Sequence, residues 1–341
     1  MGRDFSRGIV KRFRAQGAFL PAIVVFAVAM VWGTVSSPYF LDVPILLLHT
    51  GRYMEIGLIA LAMTLVIIHG DIDLSVASNV AFSAAIMGLV YQSGISIAIA
   101  AAVAVLVGTL LGVFNGILIT LLGLPSLVVT LGTLALYRGM AQIALGDQAV
   151  TGYPEGFVGS DQYLVAGFLP LPLTVFIVAA VAVGFLAHRT NFGFGSFMLG
   201  KNAVASKFSG LRPGFNRMLA FTFSGFMAGV AAVLITARLG STRSNLALGF
   251  ELLVVTIVVL GGTDIFGGKG SVLGTVLALF AVIAVREALA IQNVNGQIQD
   301  ALIGLILVLT IAVPVAVSRL VSRVQMSRRK SLLDDTKGKI Q

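Results

Sequence analysis

Asp71 and Asp73 stand two residues apart in the run Gly70-Asp71-Ile72-Asp73-Leu74-Ser75, with long apolar sequence on either side. A carboxylate at the centre of a bilayer costs about 2.5–3.5 kcal/mol on insertion scales unless a cavity or a partner receives it. Two readings are open. In one, both acids line a ligand pathway; in the other they lie at the end of a membrane span, where Asp71 opens a helix and Asp73 or Ser75 is its N-cap. A second break of the same kind, Gly261-Gly262-Thr263-Asp264-Ile265-Phe266-Gly267-Gly268-Lys269-Gly270-Ser271, invites the same choice for Asp264. Each break follows an apolar run that opens with a glutamate, Glu55 or Glu251. Two such units are what an internal duplication would leave behind.

Gly267-Gly268-Lys269-Gly270-Ser271 superficially resembles a phosphate loop. A Walker A loop needs G-x-x-x-x-G-K-[ST], whereas here position 263 is Thr and Gly270 follows Lys269. The stretch reads as a flexible turn, and any ATP hydrolysis must come from another polypeptide. No cysteine is present, which removes disulfides, thiolate metal sites and a cysteine nucleophile. His49, His69 and His188 are isolated in sequence, so no catalytic or metal constellation is expected.

Other polar residues fall inside apolar runs: Asn79, Asn115, Thr130, Thr133, Arg138, Gln142, Glu251 and Thr256. For the hydroxyl and amide side chains the plain reading is an interhelical or back-bonded hydrogen bond. Arg138 and Glu251 either snorkel to the outer surface or line a wet cavity. The pathway candidates are Asp71, Asp73, Ser75, Asn79, Asn115, Thr130, Thr133, Glu251 and Thr256.

The elements that must position these residues follow from charge and length. Most of the 23 Lys and Arg residues lie in three blocks, residues 3–14, 189–217 and 319–339. Basic residues near span ends are retained in the cytoplasm, which places both ends and the middle of the chain there. The chain as a whole is 57% hydrophobic and 11% charged with a mean hydropathy of +1.00, incompatible with a soluble domain. The net charge of +9 is accounted for by the blocks and calls for no nucleic acid. Apolar runs near 19–36, 46–69, 74–91, 95–122, 127–145, 164–187, 218–237, 251–262, 271–290 and 298–317 are expected to make about ten transmembrane helices, some short or broken. The fold class expected is thus all-α and polytopic, with a retained first span. The 39 glycines suit helices packed through small faces.

With this orientation the loop 146–163 is external; it carries Asp147, Glu155 and Asp161 without Lys or Arg. With Arg243 these residues are candidates for docking an external protein. On the cytoplasmic side, Gly200, Lys201, Asn202, Val204, Ala205, Phe208, Ser209 and Gly210 belong to a stretch able to form a short helix with Val204 and Phe208 on one stripe and Gly210 as its terminator. That helix suits docking to a soluble partner or lying on lipid.

Here the sequence resembles a known family. Gly70-Asp71-Ile72-Asp73-Leu74-Ser75-Val76-Ala77-Ser78 is similar to the G-G-I-D-L-S-V-G-S signature of carbohydrate permeases in bacterial ABC importers, the ribose and rhamnose group. LPSLVVTLGTLALYRGMA from Leu124, the 200–211 stretch and VVLGGTDIFGGKGSVLGT from Val258 match further motifs, and the resemblance covers roughly residues 19–318. LGDQAVTGYPEGF from Leu145 and ARLGSTRSNLALGFELLVVT from Ala237 look most like rhamnose-type permeases, with autoinducer-2 permeases also close. Two positions depart from the family pattern: Asp71 replaces the commoner Gly, and Asp264 stands where many relatives are uncharged.

The resemblance implies a permease of the inner membrane without cofactor, metal or catalytic residue. It pairs with itself or a sister permease, receives a monosaccharide from an extracytoplasmic binding protein, and is driven by a separate ATPase at residues 200–210. The domains expected are a basic N-terminus over 1–18, a permease domain over 19–318 with a coupling loop at 188–217, and a tail over 319–341. An ion-coupled secondary transporter, with Asp71, Asp73 and Glu251 binding protons or sodium, is the alternative from another class.

Overall fold

The computed structural model describes residues 19–208, 210–313 and 316; the basic N-terminus, Ser209 and the C-terminal tail lie outside them. The described chain is helical: α1 (Leu20–Ser36), α2 (Val43–Gly51), α3 (Met54–Ile68), α4 (Val76–Gln92), α5 (Ile97–Thr120), α6 (Ser126–Leu145), α7 (Leu171–Arg189), α8 (Asn191–Lys201), α9 (Ala203–Phe208), α10 (Pro213–Leu239), α11 (Phe250–Leu260), α12 (Val272–Ile291) and α13 (Gly296–Val313). Six of these, α5, α6, α7, α10, α12 and α13, are long and apolar enough to cross a membrane unaided.

α3 is the axis of the bundle. Every residue from Met54 to Ile68 is buried, as expected of a helix that is apolar all round. It packs against α7, α10, α11 and α12. α5 and α10 form the most extensive helix pair. Gly108, Gly112 and Gly116 recur every four residues on α5; the first two meet Gly225 and Gly229 of α10, and Gly116 meets Met218. A Cβ built on Gly112 would lie 2.9 Å from the Gly225 Cα, and one on Gly229 2.7 Å from the Val105 Cα. The backbones touch, which is how membrane helices gain packing energy where water supplies no drive between them.

Loops gather at two opposite ends. At one end are residues 69–75, 121–125, 190–212 and 261–271: the Gly268 amide donates to the Ile68 carbonyl at 2.8 Å, and Gly214 approaches Thr120. At the other are 37–53, 93–96, 146–170, 240–249 and 292–295: Tyr91 stacks on Tyr153 with centroids 5.1 Å apart, Val150 bridges to Thr242, and Gln292 donates to the Ser36 hydroxyl at 2.9 Å. The long helices run between these two ends.

Three expected segments differ in detail. The run 46–69 is two helices, because the chain turns at Arg52 and Tyr53, whose amides donate back to His49 and Thr50. The run 164–187 begins with a two-stranded hairpin, Leu164–Val165 against Leu169–Pro170, and its helix starts only at Leu171, where Pro170 and Pro172 are compatible with a first turn but not a helix interior. The coupling stretch is divided between α8 and α9, which Asn202 separates by accepting the Ala205 amide through its side chain at 3.0 Å.

Candidate functional site

Arg217, in the first turns of α10, meets Asp71 in a bidentate pair, Nε to Oδ2 and Nη2 to Oδ1, both at 2.7 Å. Asp71 is 2% exposed and the arginine side chain 39%, so the acid is sealed while its partner still reaches water. Asp71 therefore starts no helix; it anchors the 69–75 loop to α10.

Among the described residues Asp73 has no basic partner. Its Oδ1 accepts the Ser75 amide at 3.0 Å and the Ser75 hydroxyl at 2.6 Å, and its Oδ2 accepts the Ser224 hydroxyl of α10 at 2.9 Å. The Asn115 amide group of α5 donates to Ser75 Oγ at 2.8 Å, and Tyr137 of α6 donates to Asn115 Oδ1 at 3.0 Å. Ser224 precedes Gly225, and Asn115 precedes Gly116, so the glycine seam of α5 and α10 brings both polar groups round the acid. Asn79 donates to the Gly108 carbonyl at 3.1 Å, and Thr130 to the Ile72 carbonyl at 3.1 Å. The bonds from Tyr137 through Asn115 and Ser75 to Asp73 and Ser224 form one buried chain tying the loop to α4, α5, α6 and α10, with the Asn79 and Thr130 bonds beside it. It needs every member satisfied, since an unpaired polar group there costs about 1–3 kcal/mol. Ser75 occupies the N-cap position of α4 without a side-chain cap bond; the Asp73 carboxylate takes the Ser75 amide instead.

The two glycine-acid breaks and the coupling stretch meet in one place. Gly70 and Gly267 adopt φ of +84° and +87°, values that a side chain resists. A Cβ built on Gly267 would lie 2.7 Å from the Gly70 Cα and 3.1 Å from the Gly200 Cα. Gly200, near the end of α8, touches the Ile68 carbonyl and the Gly268 amide in the same way. Three backbones, from loops 69–75 and 261–271 and from α8, are thus in mutual contact. The amides of Gly267 and Gly268 are used internally, on Asp264 and Ile68 carbonyls, so the turn offers them to no phosphate.

At the far end of the bundle, Glu55 in the first turn of α3 accepts from Arg238 Nε of α10 at 2.8 Å. Arg138 Nη1 donates to the carbonyls of Ser244 and Leu246, each at 2.8 Å, and so holds the 240–249 loop. That loop joins 146–163 through the Val150–Thr242 bridge and the 2.7 Å bond between Tyr153 and Thr242 hydroxyls, and the Gly159 amide ties 146–163 to the Ala237 carbonyl of α10. Burial pushes the Tyr153 phenol above its ordinary pKa, so it stays neutral in this contact. Asp147, Glu155 and Arg243 are exposed on this surface and Asp161 is half-buried.

The structure thus assembles Asp73, Ser75 and Asn115 directly, with Asn79 and Thr130 alongside. Thr133 and Thr256 donate to carbonyls of their own helices, and Thr133 also lies in hydrogen-bonding contact with the Tyr137 hydroxyl. Glu251, in the first turn of α11, is not joined to the Asp73 network, and Thr256 lines a separate pocket of about 290 Å³ with Arg286 and Asp300. Lys201, Asn202, Val204, Ala205, Phe208 and Gly210 are exposed, and Gly210 takes the positive φ of a helix terminator. His49 is not isolated: its Nδ1 lies 2.6 Å from Glu287 of α12. Sequence reading missed Tyr137, Ser224 and Arg238, and placed Arg217 only in a basic block; nothing in their spacing links them to Asp73, Asp71 or Glu55. Among the described residues no group of three or more His, Cys, Asp or Glu is placed to hold a metal.

Two opposed loop ends, a buried polar seam and glycine-packed apolar helices define a polytopic helical membrane protein. Residues 45–311 match the family described as the branched-chain amino acid transport system permease component, and the chain belongs to that family. It is a multi-pass protein of the inner membrane. It is 35% identical over 282 residues to the autoinducer 2 import system permease protein LsrD of Yersinia enterocolitica, covering 81% of this chain and 85% of the relative. The protein of the same name from Yersinia pseudotuberculosis is 32% identical over 305 residues, 88% of this chain and 91% of the relative. That from Photorhabdus luminescens is 35% identical over 283 residues, 81% and 85%. No solved structure matches the chain.

Proposed function

We propose that this chain is the permease subunit of an ABC importer for autoinducer 2 or a closely similar sugar-like molecule, in preference to rhamnose. The similarity to relatives named as autoinducer 2 import permeases, over more than four-fifths of each chain, carries the choice of substrate. Rhamnose rested on motif likeness alone and has no such support. In this reading the molecule arrives from an extracytoplasmic binding protein at the surface bearing Asp147, Glu155, Asp161 and Arg243. A separate ATPase engages α9, and the permease pairs with a second copy or a sister subunit. The chain crosses about ten times, with loops 69–75, 190–212 and 261–271 on the cytoplasmic side.

The junction of Gly70, Gly200 and Gly267 supports a mechanism of alternating access without chemistry. A push on α8 and α9 is delivered to the backbone of both glycine-acid loops at once. From 69–75 it passes through Asp71 to Arg217 and through Asp73 to the hydrogen-bonded seam of Ser75, Asn115 and Ser224. Those groups, with Asn79 and Thr130, are sealed in the present conformation. A neutral polyol needs hydrogen-bonding partners in place of water, and these residues are the nearest supply of them to the moving loops.

The test is uptake by vesicles holding the permease with its ATPase and binding protein, loaded with ATP. Labelled autoinducer 2 should accumulate, and unlabelled autoinducer 2 should compete at least tenfold better than rhamnose. Accumulation of rhamnose with no effect of autoinducer 2 would overturn the assignment.

A further inference from the structure

Phe266 is 87% exposed at the tip of a tightly determined turn. The turn is held by the Asp264 amide on the Lys269 carbonyl at 3.0 Å, the Gly267 amide on the Asp264 carbonyl at 2.8 Å, the Phe266 amide on Asp264 Oδ1 at 3.2 Å and Lys269 Nζ on Asp264 Oδ2 at 3.1 Å. Four bonds that fix a six-residue turn and present a bare phenyl ring at its apex make a rigid projection, not a loose loop. The turn sits on the backbone of Gly70 through the Phe266 carbonyl and on that of Gly200 and Lys201 through Gly268. One residue beyond Asn202 begins α9, whose Val204 and Phe208 are 69% and 89% exposed. Lys201, Arg212 and Lys269 are exposed around the two apolar projections.

We propose that the turn Asp264–Lys269 is a second docking point for the ATPase subunit, with Phe266 entering an apolar, acid-rimmed pocket beside the one that takes Val204 and Phe208. The proposal rests on the reading of α9 as the ATPase-coupling helix. Three observations favour a protein partner: continuity with the α9 face, the basic rim, and a turn whose rigidity transmits force. Because the turn is in backbone contact with both Gly70 and Gly200, load on Phe266 reaches the same junction as load on α9. A two-point contact moves the 261–271 loop directly, where α9 alone moves it only through Gly200 and Lys201 at the end of α8.

The chain contains no cysteine, so Phe266→Cys gives a single attachment site. Carrying a benzophenone maleimide, the variant in the assembled importer in lipid nanodiscs should cross-link to the ATPase subunit on irradiation, and Phe266→Asp should weaken ATPase binding at least tenfold. Gly139→Cys on α6, labelled identically, should give no adduct with it. Lipid adducts alone from position 266, with ATPase affinity unchanged in Phe266→Asp, would overturn the proposal in favour of a membrane-surface anchor. Val204→Asp/Phe208→Asp separates the two claims. If that variant releases the ATPase and Phe266→Asp does not, the second docking point is wrong and α9 stands. If the α9 variant binds normally, the coupling reading itself fails.

Discussion

Arg217 grips Asp71 with two parallel hydrogen bonds of 2.7 Å, yet the two residues are unequal partners, the arginine being part-exposed and the acid sealed. Removing the arginine strands a buried carboxylate, a loss of about 3–5 kcal/mol in such pairs. Removing only the charge of the acid leaves a guanidinium that can hydrate. Arg217→Ala should therefore lower the thermal stability of the purified protein well beyond Asp71→Asn, and uptake should fall in the same order. The exchanged pair Asp71→Arg/Arg217→Asp should not rescue, because it buries the longer, positively charged side chain where the short acid fits. Equal losses from the two single variants would show that the pair is not asymmetric in this way.

Asp73 receives three hydrogen bonds and an amide can keep their geometry only in part. Asp73→Asn still accepts from Ser75, and its NH2 can turn to Ser224, so the loss is confined to charge assistance, about 1.5–3 kcal/mol for such bonds. Asp73→Leu leaves the Ser75 and Ser224 donors unpaired and should not yield folded protein. Tyr137→Phe removes the hydroxyl shared between Asn115 Oδ1 and the Leu111 carbonyl and should cost about 1 kcal/mol. Thermal denaturation in detergent ranks the three; a mild effect of Asp73→Leu would remove the seam from the account.

The glycines of α5 and α10 divide sharply from those of α6. Gly225 has no room for a methyl group against Gly112, whereas Gly132 and Gly139 face open space. Gly225→Ala should destabilise by about 1–3 kcal/mol through overpacking. Gly139→Ala should be neutral or raise stability by up to about 1 kcal/mol from helix propensity. The two are compared by melting temperature in the same detergent.

Orientation is checked with single cysteines in the cysteine-free chain. Gln148 and Asn202 are both exposed, at opposite ends of the bundle. Gln148→Cys should react with an impermeant maleimide added to intact spheroplasts, and Asn202→Cys only after lysis. The reverse pattern would invert the topology and exchange the two docking surfaces.

The apolar runs and the separation of loops into two ends could be read from sequence because hydropathy and charge act locally and each span carries its own signal. The α2–α3 break and the hairpin before α7 could not, since both interrupt apolar sequence at positions where composition does not change. Asp71 and Asp73 were legible as an anomaly, a charge in apolar surroundings, but their partners were not. Arg217 and Ser224 are separated from them by about 150 residues, and no local pattern encodes which faces meet. The glycine content announced close packing; only the fold shows that the seam of Gly108, Gly112 and Gly225 is what brings Asn115 and Ser224 to Asp73. Gly200 was legible as part of a coupling stretch, while its contact with both acid-bearing loops depends on the tertiary arrangement.

The central claim is that motion arriving from an ATPase at the Gly70, Gly200 and Gly267 junction drives import, without any ion bound at the acids. It is tested most directly by uptake of autoinducer 2 into vesicles containing the full complex, measured with ATP inside and no ion gradient, and again with an imposed proton or sodium gradient and no ATP. The account predicts accumulation in the first condition and none in the second. Uptake that follows the gradient in the absence of ATP would contradict it and make Asp71 and Asp73 coupling-ion ligands.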